Sequence, residues 1–138
     1  MSKIFETTKD LEREKKAISI FCEKFNAKWQ KLGKYDVDYK VTINNKICYV
    51  EVKGRNKNIK EAYPIPLAAR KMVKLIDRGE HSIIIWDCLD GLIYGNTSNI
   101  YAKGIIGGRK PRNGSSNDKE FMLYFEKQDC LHTINKNQ

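Results

Sequence analysis

Several absences narrow the function of this 138-residue chain before any motif is read. Histidine is scarce, with only His81 and His132, and the four cysteines, Cys22, Cys48, Cys88 and Cys130, form no C-x-x-C pair. That leaves too few soft ligands at metal-binding spacing for a zinc site. Scattered thiols suit a reducing compartment, so a cytoplasmic location is expected, the host cytoplasm if the chain is viral. The amino terminus, MSKIFETTKD, lacks the apolar stretch of a signal peptide. Apolar runs reach only a handful of residues, as at 83–86, far short of the ~20 that cross a bilayer. No membrane partner is therefore expected. The glycines at 104–108 lack the G-K-[ST] ending of a nucleotide phosphate loop. No repeat or composition break divides the chain, which reads as one domain over 1–138, long enough to bury a core.

Positive charge is abundant. Lysine and arginine number 26 against 17 acids, for a net charge of +9. The excess is concentrated: residues 53–78 carry eight basic residues and two acids, while 35–52 and 79–98 are slightly acidic. A basic flank beside an acidic cluster suits a protein that binds a phosphate backbone and holds a metal ion. It is equally what a lysine-rich solvated surface looks like.

A helix is expected over 9–32, capped by Thr7 or Thr8, with Leu11, Ile18, Phe21, Cys22, Phe25 and Trp29 at helical spacing. Asn26-Ala27 is a candidate early end. Residues 35–43 alternate apolar and polar, and 46–53 form a second β-rich run. Asn44-Asn45 between them suits a two-residue hairpin turn. A basic loop follows over 54–63, then a helix over 67–78 with Pro66 at its start and Gly79 after its end. Residues 81–88 read as a buried strand that turns at Asp90-Gly91 into 92–95. Residues 104–119 read as a loop by composition, and a last strand pair is expected at 120–126 and 130–134. Trp29 and Trp86 fall within apolar patterns and are assigned to the core. The order describes an α/β (α+β) layer fold with a mixed sheet flanked by helices.

The Asn-Asn turn sets a register in which paired residue numbers sum to 89. Val37, Tyr39, Val41 and Ile43 then oppose Val52, Val50, Cys48 and Lys46 on an apolar face. Asp38 opposes Glu51, and Asp36 opposes Lys53, on the other. Opposed Cβ atoms lie ~4.5–5.5 Å apart, so two carboxylates there repel unless a cation or proton separates them. A hard divalent ion such as Mg²⁺, which is content with one or two carboxylates, meets that need. A solvated charged face neutralised by Lys53 is the structural alternative. Glu14 sits on the apolar stripe of the first helix, three residues after Leu11 and four before Ile18, where an acid requires a partner.

Taken in order, these residues resemble the PD-(D/E)XK nuclease superfamily. In that pattern Glu14 is the helix acid, Asp38 the strand acid, Glu51-Val52-Lys53 the acidic-x-Lys triplet, and the helix bearing Arg70, Lys71 and Lys74 the basic helix. The spacing of Asp38 and Glu51 is similar to that of archaeal Holliday-junction resolvases, and the compact size to that of phage relatives. The proline that precedes the strand acid in the family is missing here, which leaves Asp36 open as an alternative to Asp38. The resemblance implies a restriction-endonuclease-like core and metal-dependent hydrolysis of a nucleic-acid phosphodiester, with DNA preferred by analogy. It implies Asp38, Glu51 and the Val52 carbonyl as ligands of Mg²⁺, with Mn²⁺ as a substitute. Lys53 would stabilise the nucleophile or the phosphorus centre, and Glu14 would hold a second ion or an outer water. Arg55, Lys57, Lys60, Arg70, Lys71 and Lys74, with Arg109, Lys110 and Arg112, are the candidate nucleic-acid contacts. A homodimer is left open.

Two other readings use the same charge. One is a nucleic-acid-binding module that has lost activity. The other is a viral interaction protein that binds an acidic host factor, which needs the basic surface but not Asp38, Glu51 and Lys53 together.

Overall fold

The computed structural model describes residues 8–79, 81–108 and 119–136. Helix α1 spans Thr8–Phe25 and buries Ala17, Ile18, Phe21 and Cys22. It is shorter than the 9–32 expected. Asn26 adopts φ 51°, and the Ala27 N–H reaches back to the Cys22 carbonyl at 2.8 Å. Together these form the left-handed cap that closes many helices. The tail assigned to the helix is instead strand β1, Lys28–Lys31, and Trp29 packs edge-on against Tyr39 from there.

Strands β2, Tyr39–Ile43, and β3, Lys46–Gly54, form the expected hairpin. Asn44 and Asn45 have φ 50° and 64°, the double positive φ of a type I′ turn. Ile43 pairs with Lys46, Val41 with Cys48 and Tyr39 with Val50, the register read from the sequence. The ladder stops at Tyr39, so the expected pairs Asp38–Glu51 and Asp36–Lys53 do not form. Val37 does not continue it opposite Val52 but turns into a different core layer, beside Leu75, Ile84 and Trp86.

A short 3-10 turn at Ile59–Glu61 precedes β4, Ile65–Ala68, and helix α2, Ala69–Arg78. The start of the helix expected over 67–78 is thus strand. Pro66 is accommodated because β4 is an edge strand, where a missing N–H breaks no ladder. Strands β5, Ser82–Asp87, and β6, Gly91–Asn96, follow as expected. Lys103–Gly108 is strand β7 rather than loop, and pairs with β8, Lys119–Phe125. Residues 109–118, also assigned to that loop, lie outside the described residues. The final strand β9, His132–Asn135, does not pair with β8; it joins β6.

Six strands form a mixed sheet in the order β1-β2-β3-β5-β6-β9, parallel only between β3 and β5. Strands β4, β8 and β7 make a second, antiparallel sheet. The alternation along β5 places its side chains in two layers. Ile85 packs with Val50, Val52 and the apolar stripe of α1. Ile84 and Trp86 pack with Leu75 of α2, Leu67 of β4 and Phe125 of β8. Each fully buried side chain of this size contributes ~1.5–3 kcal/mol, so both layers are substantial. This is the α+β arrangement of a restriction-endonuclease-like core. Its parallel pair ends with Gly54 opposite Asp87, at the carboxyl edge where open sheets commonly bind ligands.

Candidate active site

A cleft of about 680 Å³ opens at that edge. Arg13 and Glu14 reach it from α1, Asp38 from the residue before β2, and Glu51, Val52, Lys53 and Gly54 from β3. Arg70, Lys71 and Lys74 come from α2, Asp87 from the end of β5, and residues 34–36 from the loop before β2. Charges of both signs line it in equal number, but not at equal depth. Glu51 and Asp87 are buried, with Glu14 and Asp38 half-buried, while Lys34, Lys53, Arg70 and Lys74 are exposed at the rim. Apart from the exposed Asp10, the acids form a floor beneath a basic mouth.

The end of the hairpin ladder shapes the floor. Beyond Tyr39 the strand peels away, and the Asp38 side chain takes the place of its backbone: Oδ2 accepts the Val52 N–H at 2.8 Å. A residue in an extended strand directs its N–H and C=O to the same side. The Val52 carbonyl therefore also faces the gap that β2 has vacated. Asp38 Oδ1 lies 3.7 Å from Lys31 Nζ, and the same ammonium is 3.4 Å from Glu14 Oε1. The Tyr39 hydroxyl donates to Glu14 Oε1 at 3.3 Å. Glu14 is thus the partnered acid on the helix stripe that the sequence implies.

Glu51 is only 4% exposed. Burial, and next the Asp38 carboxylate, push its pKa up, while Lys71 and Lys74 oppose the rise. Lys71 Nζ donates to Glu51 Oε2 at 3.0 Å. Burial pulls the Lys71 ammonium down, but Glu51 and Asp38 outweigh it and the net shift is upward. A buried carboxylate beside a second one is electrostatically costly unless a cation is near. Here an ammonium provides it.

Asp36 lies in the same cleft but is otherwise engaged. Its Oδ1 sits 3.1 Å from Arg78 Nε and accepts the Val37 N–H at 2.7 Å. Of the other basic residues singled out from the sequence, Arg55 turns inward and donates twice to the Ala62 carbonyl, at 2.8 and 3.1 Å. Lys57 and Lys60 are exposed on the loop outside the cleft. Arg109, Lys110 and Arg112 lie outside the described residues. Two cleft residues, Arg13 and Asp87, were not legible beforehand, nor was Lys31, which meets Glu14 and Asp38 from β1. Asp87 ends an apolar strand, and an acid closing such a run is the signal that would have found it.

The donors fit a hard divalent ion. Asp38, Glu51 and Val52 all line the cleft, and among the described residues no cluster of three His, Cys, Asp or Glu side chains is placed to hold a metal. Mg²⁺ takes few protein ligands and fills its octahedron with water and phosphate oxygens.

No curated protein and no solved structure matches the chain. A family model does, over residues 1–132, which include every residue of the cleft. By that match the chain belongs to the family described as phage putative PDDEXK endonuclease.

Proposed function

We propose that this protein is a divalent-cation-dependent nuclease that hydrolyses phosphodiester bonds, with DNA as its substrate. The observation that carries the reading is the convergence of Glu14, Asp38, Glu51 and Lys53, from three separate elements, on one cleft with an acidic floor and a basic mouth. Asp38, Glu51 and the Val52 carbonyl would hold Mg²⁺ or Mn²⁺. Such an ion, when bound, activates a water and neutralises charge at the phosphate.

The chain's own residues supply the rest. Arg70 and Lys74 at the rim draw the backbone in by charge. Lys53, two residues beyond Glu51 on the same strand, donates to the attacking water or to a phosphate oxygen as negative charge develops there, where a preorganised donor is most effective. Lys71 neutralises Glu51 and, with an ion held by Glu51, would be available to a phosphate oxygen. Glu14, held by Lys31 and Tyr39, orients water at the far side of the floor. The phosphorus–oxygen bond to water forms as one ester bond breaks.

The pairing of Lys71 with Glu51, and of Lys31 with Asp38 and Glu14, also favours a second reading. These ammonium groups neutralise the floor without a metal, as a nucleic-acid-binding module with no activity would require. Incubation with supercoiled, linear, branched and single-stranded DNA, in Mg²⁺, Mn²⁺ or EDTA, separates the two. Cleavage that needs the ion and disappears in Lys53→Ala supports the nuclease. Binding without cleavage under every condition supports the module.

A further inference from the structure

We infer that Arg13 forms a phosphate-binding subsite beside the acidic floor, gripping a backbone phosphate next to the bond that is cut. The inference rests on the nuclease reading, and it assigns a role to a residue that neither the sequence pattern nor the family description marks.

The geometry is specific. Arg13 Nε donates to Asp87 Oδ2 at 2.8 Å, and Nη2 donates to the Asp87 carbonyl at 3.0 Å. Two bonds to one residue fix the plane of the guanidinium. Asp87 is itself held: its side chain is 3% exposed, and Lys136 Nζ lies 2.7 Å from Oδ1. That ammonium is in ionic contact with Oδ1 but not aligned to it as a hydrogen bond; its bond goes to the Cys88 carbonyl at 2.7 Å.

The guanidinium lies across Gly54, the residue after Lys53. A Cβ at that position would come within 3.0 Å of Nη1, 3.1 Å of Cζ and 3.3 Å of Nη2. Any side chain at this position would push the group away by at least a few tenths of an ångström. Among the described residues, Nη1 has no hydrogen-bond acceptor. The Arg13 side chain is 37% exposed and lines the cleft. An arginine that served only to tie α1 to β5 would need its two bonds to Asp87 and nothing more. Here the third nitrogen, with two further N–H groups, is the one nearest Gly54, the residue after Lys53, on a side chain that lines the cleft. A rigid, always-charged fork is well matched to phosphate oxygens.

The test is a cycle between the residue and single phosphates. The probe is a DNA that the wild type cleaves, made with one neutral methylphosphonate linkage at a time on either side of the cut bond, with binding measured in EDTA. In the wild type, one linkage should weaken binding by about tenfold. Arg13→Gln should show a loss of about the same size on unmodified DNA and no additional loss at that linkage. Gly54→Val, which keeps Arg13 and Asp87 but displaces the guanidinium, should behave likewise, so a folding defect in Arg13→Gln would not hide the result. Losses that simply add at every linkage, in both variants, overturn the subsite while leaving the nuclease intact. If the wild type cuts none of the supercoiled, linear, branched or single-stranded DNAs, no such probe exists, and the nuclease reading falls with the subsite.

Discussion

Lys53 and Glu51 lie two residues apart on one strand, yet their substitution should be felt differently. Lys53 is exposed, so Lys53→Ala should leave the denaturant midpoint nearly unchanged, as surface substitutions commonly do. It should lower kcat by about 100-fold or more, the size of a lost preorganised donor. Equal loss of stability and activity would make it a structural lysine. Glu51→Gln should also end cleavage, but without unfolding the metal-free protein. The folded Glu51 pKa is raised, by burial and then by Asp38. Its protonated form therefore favours the fold below the ordinary glutamate range, and that advantage is lost as pH climbs through the raised value. In EDTA, Glu51→Gln should be as stable as wild type at acid pH and at least as stable above that window; a variant that grows less stable with rising pH would contradict this. Asp36→Asn is the control for the choice of strand acid. With its carboxylate already on Arg78 and the Val37 N–H, Asp36 should be dispensable for cleavage. Complete loss would move the proposed ligand two residues back.

At the scale of elements, one short connection is more important to the site than its exposure suggests. The 54–63 stretch, which includes the 3-10 turn, joins β3 to β4, and Arg55 holds it by two bonds to the Ala62 carbonyl. Charge-assisted bonds of this kind are each worth ~1.5–3 kcal/mol. Arg55→Ala should lower unfolding free energy by about that amount while leaving the salt dependence of DNA binding unchanged. A changed salt slope with unchanged stability would make Arg55 a phosphate contact after all. The hairpin carries a second expectation. Both turn residues have positive φ, which glycine adopts without the steric penalty other residues meet. Asn45→Gly should hold or raise Tm, and Asn45→Val should lower it, because a β-branched side chain is strained there.

For the whole molecule, net charge is less informative than its placement. The +6 of residues 53–78 looks like one basic flank in the sequence. Folding divides it. Arg70, Lys71 and Lys74 line the cleft, Lys57 and Lys60 lie outside it, and Arg55 points inward. Each phosphate neutralised in duplex DNA contributes ~0.9 to the slope of log affinity against log salt. Neutralising Arg70, Lys71 and Lys74 together should therefore flatten that slope by about two to three, and neutralising Lys57 and Lys60 by much less. Equal effects of the two sets would mean that the backbone runs across the loop rather than through the cleft.

Local chemistry in the sequence was sufficient for much of this. The Asn-Asn turn, with the alternation around it, determined the hairpin register, because a type I′ turn admits few residue pairs and a one-residue slip would reverse every side chain. The helical phase of Glu14 and the acidic-x-Lys triplet pointed to residues that line one cleft, whereas Asp38 arrives there by a side-chain bond to the Val52 N–H and not by the register. The ends of elements were less legible. Asn26 had to choose between continuing a helix and capping it, and pairing of Lys28–Lys31 with β2 decided the outcome. Likewise Lys103–Gly108 became strand because β8 was there to pair with it, although its glycines argue for a loop. Only the tertiary structure could show that Val37 leaves the ladder, that Lys71 meets Glu51, or that Arg13 meets Asp87, 74 residues later in the chain. Periodicity and turn chemistry act within a few residues, and so they are written in the sequence. Ion pairs and strand partners depend on how separate elements dock, and only the packed core determines that.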